Sequence, residues 1–368
     1  MPFDNGTVTL TIFRLPMDLP ENALELFHAG RAGMFDAVKE EPLIGWVSGR
    51  HLLESDINEE TAICGGHIYV NLRKAERKIP SALMTAICRR EELVYMQAND
   101  CVTVPRKVRR QIKLEAIEKH LMKMPPSLTA IPVVIDRRSN YLYLGATSNA
   151  QIDDFISKFI NAIGIEPHQV TPDYILEHEL KTTVISLPEL VLTKEKTGGM
   201  ADDAVIGRDF LTWLWFYSET NGNMLEVGEL GEFAMMLEGP LTFIHDDAAG
   251  AAETSIKKGG SPLRSAEAKA ALNVGKKLKK AKILIARDEQ VWTCTFDADK
   301  FGFGSLALPE GEAMDDHHAI FEERITNIDI FRQVMTEFFK KYAETLMADN
   351  WSETEQEIIK WAEERDSC

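Results

Sequence analysis

Hydrophobic and polar positions change period several times along the chain, and each change predicts a boundary between helix and strand. Residues 105–124 follow the 3.6-residue period of a helix, and Pro105 stands where the first turn needs no N–H donor. From Pro125 onward the period falls to two, which predicts a β-hairpin with Arg137 and Arg138 at its tip. The stretch therefore predicts a helix followed by a hairpin.

The predicted helix over residues 105–124 has two chemically different faces. Lys and Arg recur every three or four residues in its first turns, and large apolar residues recur at the same spacing further along. The basic side consists of Arg106, Arg109, Arg110 and Lys113, and the apolar stripe consists of Leu114, Ile117, Leu121 and Met124.

A similar order of elements returns later in the chain. Residues 265–280 are predicted as a helix that ends in lysines, and alternating positions over residues 282–296 predict a second hairpin. Amphipathic helices are expected after the two hairpins, over 152–163 and 327–347. The sequence thus predicts a pseudo-repeat of basic helix, hairpin and helix in an α+β fold of antiparallel hairpins and sheets with flanking helices, elongated and multi-lobed.

The remaining segments are assigned from the same periodicities. Trp213 and Trp215 lie in a continuous apolar run that favours a buried strand or helix over a base-stacking surface. We predict strands over 7–14, 223–229 and 233–243, a strand pair or a bulged strand over 61–72 with its kink at Gly65–Gly66, helices over 21–38 and 82–95, a loop over 246–260, and an acidic helix over 351–368.

Composition narrows the functional class. No apolar run approaches the ~18 residues that cross a bilayer, and the N-terminus lacks a signal pattern, so we expect a cytoplasmic protein without membrane contact. The five cysteines are scattered and form no C-x-x-C pair, which predicts reduced, mostly buried thiols.

Charge is distributed unevenly over a chain whose net charge is −17. Residues 106–123 hold seven Lys/Arg and two Glu, and residues 264–282 hold seven Lys/Arg and one Glu. In contrast, residues 310–323 hold six acidic residues and no Lys or Arg. This pattern predicts a polyanion-binding face on an acidic body, and the alternative is that both basic segments are solvated helix faces.

Candidate catalytic groups are few. Asp173, Glu179 and Lys181 imitate a nuclease P-D…E-x-K pattern, but the gap is too short for the usual strand turn. Acidic and histidine residues at 245–247 and 315–318 are expected in solvated loops, because adjacent side chains point apart. No nucleotide-binding glycine motif and no recognisable nucleophile turn is present, so the sequence predicts neither an enzyme nor a metal or cofactor.

The order of these pieces resembles the recombination-associated protein RdgC family over residues 7–180 and 255–348. The resemblance is carried by F-R-L at 13–15, Gly45-Trp46-Val47, R-K-A-E-R-K-I-P at 73–80, the hairpin I-D-x-x-x-x-Y-L-Y-L-G-A-T-S at 135–148, the order of elements over 257–296, and the helix I-T-N-I-D-I-F-R-Q-V-M-T-E-F-F at 325–339. It divides the chain into an N-terminal lobe (1–180), a central segment longer than in short members (181–255), a C-terminal lobe (256–348) and an acidic tail (349–368).

The resemblance implies a function. Members of this family form ring-shaped homodimers whose hole admits duplex DNA, and the resemblance implies the same here. Together with the two basic segments it predicts binding to double- and single-stranded DNA without sequence preference. The ring limits access of the RecA recombinase to DNA and so modulates recombination and replication, which implies a cytoplasmic, nucleoid-associated protein. By this analogy phosphate contacts are expected from Lys74, Arg77, Lys78, Arg106, Lys107, Arg109, Arg110, Lys113, Arg137, Arg138, Lys257, Lys258, Lys276, Lys277, Lys279 and Lys280.

Two other functions stay open at this point. A metal-dependent exonuclease would use carboxylates such as Asp173 and Glu179 around a divalent ion. A protein-interaction scaffold without DNA binding would use the basic faces to hold an acidic partner or the chain's own acidic tail.

Overall fold

The computed structural model describes residues 2–193, 203–245, 252–257, 261–311 and 315–365. Its strands pair antiparallel and belong to one sheet of thirteen strands within that part of the chain. The strands are β1 (Val8–Arg14), β2 (Leu43–Ser48), β3 (Ile63–Cys64), β4 (His67–Arg77), β5 (Pro126–Ile135), β6 (Tyr141–Leu144), β7 (His168–Gln169), β8 (Met224–Glu226), β9 (Glu232–Ile244), β10 (Glu253–Ile256), β11 (Lys277–Arg287), β12 (Gln290–Asp297) and β13 (Gly302–Ala307).

Helices flank this sheet, so the predicted α+β class is confirmed. None of the helices in the described part of the chain is both long and apolar enough to cross a bilayer. The helices are α1 (Ala23–Ala29), α2 (Glu59–Ala62), α3 (Ser81–Ala98), α4 (Arg106–His120), α5 (Asn149–Ile163), α6 (Pro172–Ile175), α7 (Asp203–Thr220), α8 (Ala266–Asn273), α9 (His317–Met347) and α10 (Trp351–Glu364).

One strand joins the N-terminal and C-terminal halves of the sheet. The strand order is β10-β9-β11-β12-β13-β1-β6-β5-β4-β2, so β1 lies at the junction. Val8 and Leu10 pair with β13, whereas the stretch from Thr11 to Arg14 pairs with β6. The first strand therefore needs residues from both ends of the chain as partners.

Two hydrophobic cores form on the sheet. In the N-terminal core, Phe13 packs edge-on against Phe155 of α5 with ring centroids 5.5 Å apart, and Trp46 packs on Phe27 at 4.9 Å. Successive residues of a strand face opposite sides, so Ile12 belongs to the other core while Phe13 belongs to this one.

The second core is built on α7 and α9. Trp213 and Trp215 are 2% and 0% exposed on α7, which confirms the buried interpretation of the apolar run. The Trp213 ring lies 5.3 Å from the Tyr342 ring of α9. An aromatic pair so deeply enclosed has no face for a nucleic-acid base, so these tryptophans stabilise the fold.

The predicted lysine-rich helix over 265–280 is wrong. Its helix, α8, ends at Asn273, and Gly275 has a φ of +83°, a conformation that glycine adopts without strain. The chain then enters β11, so Lys277, Lys279 and Lys280 lie on a strand. Leu278 and Ala281 are buried on that strand, and burial of these apolar residues against α7 and β9 overrides the helical pattern. The second copy of the predicted repeat consequently lacks its basic helix.

Smaller corrections concern helix ends and faces. Of the helix expected over 21–38, only α1 forms an α-helix. On α4, Leu114 of the expected apolar stripe is 52% exposed, and Ile112 and Ala116 are buried instead. Part of the expected loop over 246–260 is β10, and residues 246–251 and 258–260 lie outside the described residues. The hairpin of β5 and β6, the kink between β3 and β4, and the helix α4 are confirmed.

Candidate nucleic-acid interface

The helix α4 lies on the surface and packs against α3 as a helical hairpin. Only one narrow face is covered, because Ile112 and Ala116, four residues apart, are buried together. On α3, Ile87 is the buried residue. The rest of the circumference of α4 is therefore open to solvent.

Four basic side chains on α4 have no counter-ion among the described residues. They are exposed, and no described carboxylate lies within ion-pair distance of them. A fifth, Arg109, lies 3.7 Å from Glu92 of α3 through its Nε atom and is half-exposed. We call the four residues the α4 ridge: Arg106, Lys107, Arg110 and Lys113.

The hairpin tip carries two further exposed cations. Asp136 holds the turn through its side chain, which accepts hydrogen bonds from the Arg138 N–H at 2.9 Å and the Ser139 hydroxyl at 2.5 Å. Burial alone would raise the pKa of Asp136, but these hydrogen bonds lower it below its usual value, so the carboxylate stays charged. Arg138 also lines a cleft of about 170 Å³ with Glu322 and Asp329 of α9. These carboxylates therefore make the electrostatic potential at the hairpin tip less positive than its two arginines alone would make it.

Two of the three basic residues near the end of β4 already have partners within the protein, so fewer cations are available to phosphate there than the sequence indicates. The guanidinium of Arg77 donates to the backbone oxygens of Val38, at 2.8 Å, and Met124, so it ties the segment before β5 to the sheet. Lys74 lies 3.4 Å from Glu76. Lys78 is exposed without an ion pair in the described part of the chain.

The register of the sheet separates these candidates. On paired strands, Arg77 lies opposite Pro126 at the start of β5, and Ile68 lies opposite Ile135 at its end. At ~3.3 Å per residue the two ends of β5 are roughly 30 Å apart. The hairpin tip therefore lies at the opposite end of the strand from Lys78 and from the connection to α4.

Lys277 of the C-terminal half is an internal cation. Its Nζ lies 2.6 Å from Asp209, which is 0% exposed, and 2.7 Å from Glu189. Burial alone would lower the pKa of Lys277, but the two carboxylates raise it above its usual value. Burial raises the pKa of Asp209, and Lys277 opposes that rise. This lysine neutralises buried acid and presents no charge to a phosphate.

The other C-terminal lysines are also held by the fold. Lys276 is 8% exposed and donates to Thr254 at 2.7 Å, so it too is withheld from solvent. Lys279 lies 3.3 Å from Glu253 and Lys280 lies 2.8 Å from Asp297. Lys257 is exposed, and Lys258 lies outside the described residues.

Sequence reasoning missed these carboxylate partners. They lie on other elements, and each lysine meets its acid only after the sheet has formed. One signal was present, because Asp209 is a lone acid within the apolar run of α7. A charged residue in such a run needs a buried partner, and Lys277 is that partner.

The nuclease-like residues do not converge. Asp173 accepts a weak hydrogen bond of 3.4 Å from the Val184 N–H, and Lys181 donates to the His178 carbonyl at 2.9 Å. Across the residues that the structure describes, no three His, Cys, Asp or Glu side chains are grouped in a way that would hold a metal ion.

Comparison with known proteins gives one family. Residues 9–178, which include β1 to β7 and the α3–α4 hairpin, match the family model described as "Putative exonuclease, RdgC". A search of curated proteins found no match to this chain. The family match covers the N-terminal segment that holds most of the motifs of the resemblance, and it identifies residues 9–178 as an RdgC family domain.

Proposed function

We propose that this protein binds DNA without sequence preference and that the α4 ridge makes the main phosphate contacts. The observation that carries the proposal is the contrast between the open, unpaired ridge and a chain of net charge −17. Arg109 on the same helix and the exposed Lys78 after β4 add positive charge, and the hairpin tip forms a second, weaker contact region.

Phosphate binding by such a ridge has a simple physical basis. Each Lys or Arg that neutralises a phosphate releases condensed counter-ions, and this entropy gain is independent of base sequence. An acidic exterior repels DNA everywhere else, so a small basic face on an acidic protein both attracts and orients the duplex.

The biological role that we propose follows from the family. The RdgC family domain supports a recombination-associated role at the nucleoid. We propose that two copies form a ring around DNA and limit access of RecA recombinase to it. In support, the α3–α4 hairpin exposes Leu93 and Val94 of α3, at 45% and 54%, and Leu114 of α4, at 52%. Such apolar area beside the basic ridge suits contact with a second copy.

Binding of fluorescein-labelled duplex and single-stranded DNA, followed by anisotropy at several salt concentrations, tests this proposal. We expect both to bind and the affinity to fall steeply with salt, in proportion to the number of phosphates neutralised. A log–log slope near zero would contradict the electrostatic mechanism. Mass measurement with and without circular DNA tests the ring, which predicts a dimer that holds circles better than short open duplexes.

The family description favours a second candidate function, a metal-dependent exonuclease. Labelled DNA incubated with Mg²⁺ or Mn²⁺ distinguishes the two. Products that vanish in Asp173→Ala or Glu179→Ala would support the nuclease, whereas intact DNA at saturating protein supports binding without cleavage.

A further inference from the structure

A small cleft outside the DNA-binding region brings together three distant parts of the chain. It has a volume of about 220 Å³ and lies where the N-terminal residues, β3 and the start of α9 meet. Its walls include Asp4, Cys64, Tyr69 and His317, with Arg50 beside them. Tyr69 also packs in the core against Phe321, but the proposed DNA contact uses none of these groups.

Three of these side chains form a linear relay. The Cys64 Sγ lies 3.8 Å from His317 Nδ1, within hydrogen-bond distance for sulfur. The other ring nitrogen, His317 Nε2, lies 3.5 Å from Asp4 Oδ1. The second oxygen of Asp4 accepts a hydrogen bond of 3.2 Å from Tyr69. The imidazole thus has a thiol on one side and an anchored carboxylate on the other.

The positions of the thiol and the carboxylate decide which ring nitrogen of His317 carries the proton. A carboxylate favours the tautomer with hydrogen on Nε2, and the lone pair of Nδ1 then faces the thiol. A nucleophile, a base within reach of it and a third group that orients the base make up the arrangement of nucleophilic catalysis. Distances of this kind are often long without substrate and shorten when it binds.

We propose that Cys64, His317 and Asp4 form a nucleophilic thiol site that hydrolyses small acyl esters or thioesters. Cys64 is the nucleophile, His317 is the general base and acid, and Asp4 is a positioning residue that acts through His317. The cleft is smaller than the ~300 Å³ at which drug-sized ligand pockets begin, so a short acyl group is the substrate that fits.

The resting state of the site is a neutral thiol. Burial, followed by the nearby carboxylates of Asp4 and Asp316, raises the pKa of Cys64 to about 11, and Arg50 opposes this rise. A thiol with this pKa is protonated at neutral pH and must lose its proton as it attacks, as a hydroxyl nucleophile does. His317, whose side chain is 65% exposed, can take that proton and also reach water.

The reaction has two balanced steps. First, the Sγ–H proton moves to His317 Nδ1, sulfur forms a bond to the acyl carbon, and the leaving alcohol or thiol departs with that proton. Second, His317 takes a proton from water, the resulting hydroxide attacks the thioester, and the sulfur leaves and is reprotonated. The products are the free acid and the alcohol or thiol, and the protein is unchanged.

Cys294 provides an internal comparison. It is buried at 2% exposure and burial alone raises its pKa, with no histidine in hydrogen-bond contact among the described residues. That cysteine has the environment of an inert, packed thiol. Cys64 differs because it opens onto a cleft and contacts a histidine.

Incubation of the full chain with p-nitrophenyl acetate, without metal, tests the proposal. We expect steady release of p-nitrophenol and, after acid quenching, an acetyl group that peptide mass spectrometry maps to Cys64. Acetylation confined to lysines or to any of the other four cysteines overturns the proposal. Because this mapping uses the unaltered chain, it does not depend on whether a variant folds.

Matched variants assign the roles. Cys64→Ala should abolish turnover, and His317→Gln should lower it at least about 100-fold, the usual contribution of a general base. His318→Gln is the control, because His318 lines the same cleft but its ring accepts a hydrogen bond of 3.4 Å from the Gly65 N–H and, among the described residues, is not hydrogen-bonded to Cys64 or Asp4. It should stay within about threefold of the unaltered chain.

Asp4→Asn should lower kcat while leaving KM unchanged, since Asp4 orients the base and does not contact substrate. Equal rates in His317→Gln and His318→Gln would overturn the proposal. None of these variants touches the α4 ridge, so unchanged DNA affinity in all of them separates this site from the proposed DNA-binding function.

Discussion

Two basic stretches of similar composition play opposite parts in this molecule. The α4 ridge stands open to solvent, whereas the lysines of β11 lie against carboxylates of neighbouring elements and Lys276, just before the strand, is buried against Thr254. In the sequence both stretches hold seven Lys/Arg within about twenty residues. The difference shows that local charge density alone does not predict a polyanion-binding site, because the charge of a cation paired with an internal carboxylate is already neutralised.

The surrounding elements explain the contrast. The helix α4 packs against α3 over a narrow apolar face, so its long basic side chains stay hydrated. The strand β11 lies between β9 and β12, and α7 brings Asp209 to it. A central strand buries its side chains on the covered face, and a lysine there needs a buried counter-charge.

The largest effect should come from removing Lys277. Lys277→Met leaves the buried Asp209 carboxylate without its cation, and breaking such a pair lowers the free energy of unfolding by about 3–5 kcal/mol. Urea unfolding measures the loss. Lys280→Met, on the same strand but with a 43% exposed side chain, is the control and should change stability far less. Equal losses in the two variants would contradict an internal role specific to Lys277.

The Lys277→Met deficit should also depend on pH. Without Lys277, the pKa of Asp209 is raised further above its usual 3.8, because burial opposes the charged form and only the hydrogen bond from the Leu190 N–H remains among the effects that lower it. A raised pKa in the folded state means stability that is present below pH 3.8 and lost as the pH rises above it. Unfolding measured from pH 3 upward should show the deficit growing, and a constant deficit would contradict this cause.

Neutralising the α4 ridge should give the largest loss of DNA affinity. Replacing Arg106, Lys107, Arg110 and Lys113 together by Gln should weaken binding at least about 100-fold at low salt, since each phosphate contact contributes independently of sequence. Fluorescence anisotropy measures it, and stability should change little because these side chains are exposed. Unchanged affinity would place the site elsewhere.

The hairpin tip should matter less than the ridge. Arg137→Gln with Arg138→Gln should weaken DNA binding by less than about 10-fold, because two contacts are removed and Glu322 and Asp329 lie in the cleft beside Arg138. The same anisotropy assay decides it. A loss as large as that of the ridge variant would mean that the hairpin tip contributes as much to DNA affinity as the ridge does.

The smallest effect should come from the exposed ion pair on β11. Lys280→Gln removes a contact of 2.8 Å between the 43% exposed lysine and the 15% exposed Asp297, and it should cost about 1 kcal/mol in unfolding free energy because the amine is largely hydrated. DNA affinity should stay within about twofold. A loss of 10-fold or more would show that this lysine serves DNA despite its pair.

The helical and strand periods predicted much of the N-terminal half and the buried run of α7. The helix α4, the hairpin of β5 and β6, and the buried tryptophans of α7 were all predictable, because each depends on residues close together in the chain. The lysine run before Ile283 was not, because burial of Leu278 and Ala281 between sheet and helix overrode the helical pattern. Partnerships such as Lys277 with Asp209, or Cys64 with His317, join residues far apart and require the folded sheet.

The central claim is that free, unpaired charge on α4 binds the phosphates. The most direct test is the salt dependence of DNA affinity for three chains: the unaltered protein, the ridge variant with four Gln, and a triple variant with Gln at Lys279, Lys280 and Lys282, whose amines lie near Glu253, Asp297 and Glu238. We expect the log–log slope to fall by about 3–4 in the ridge variant, roughly 0.9 for each phosphate contact, and to stay unchanged in the triple variant. Equal slopes for all three chains, or a loss confined to the triple variant, would contradict the account.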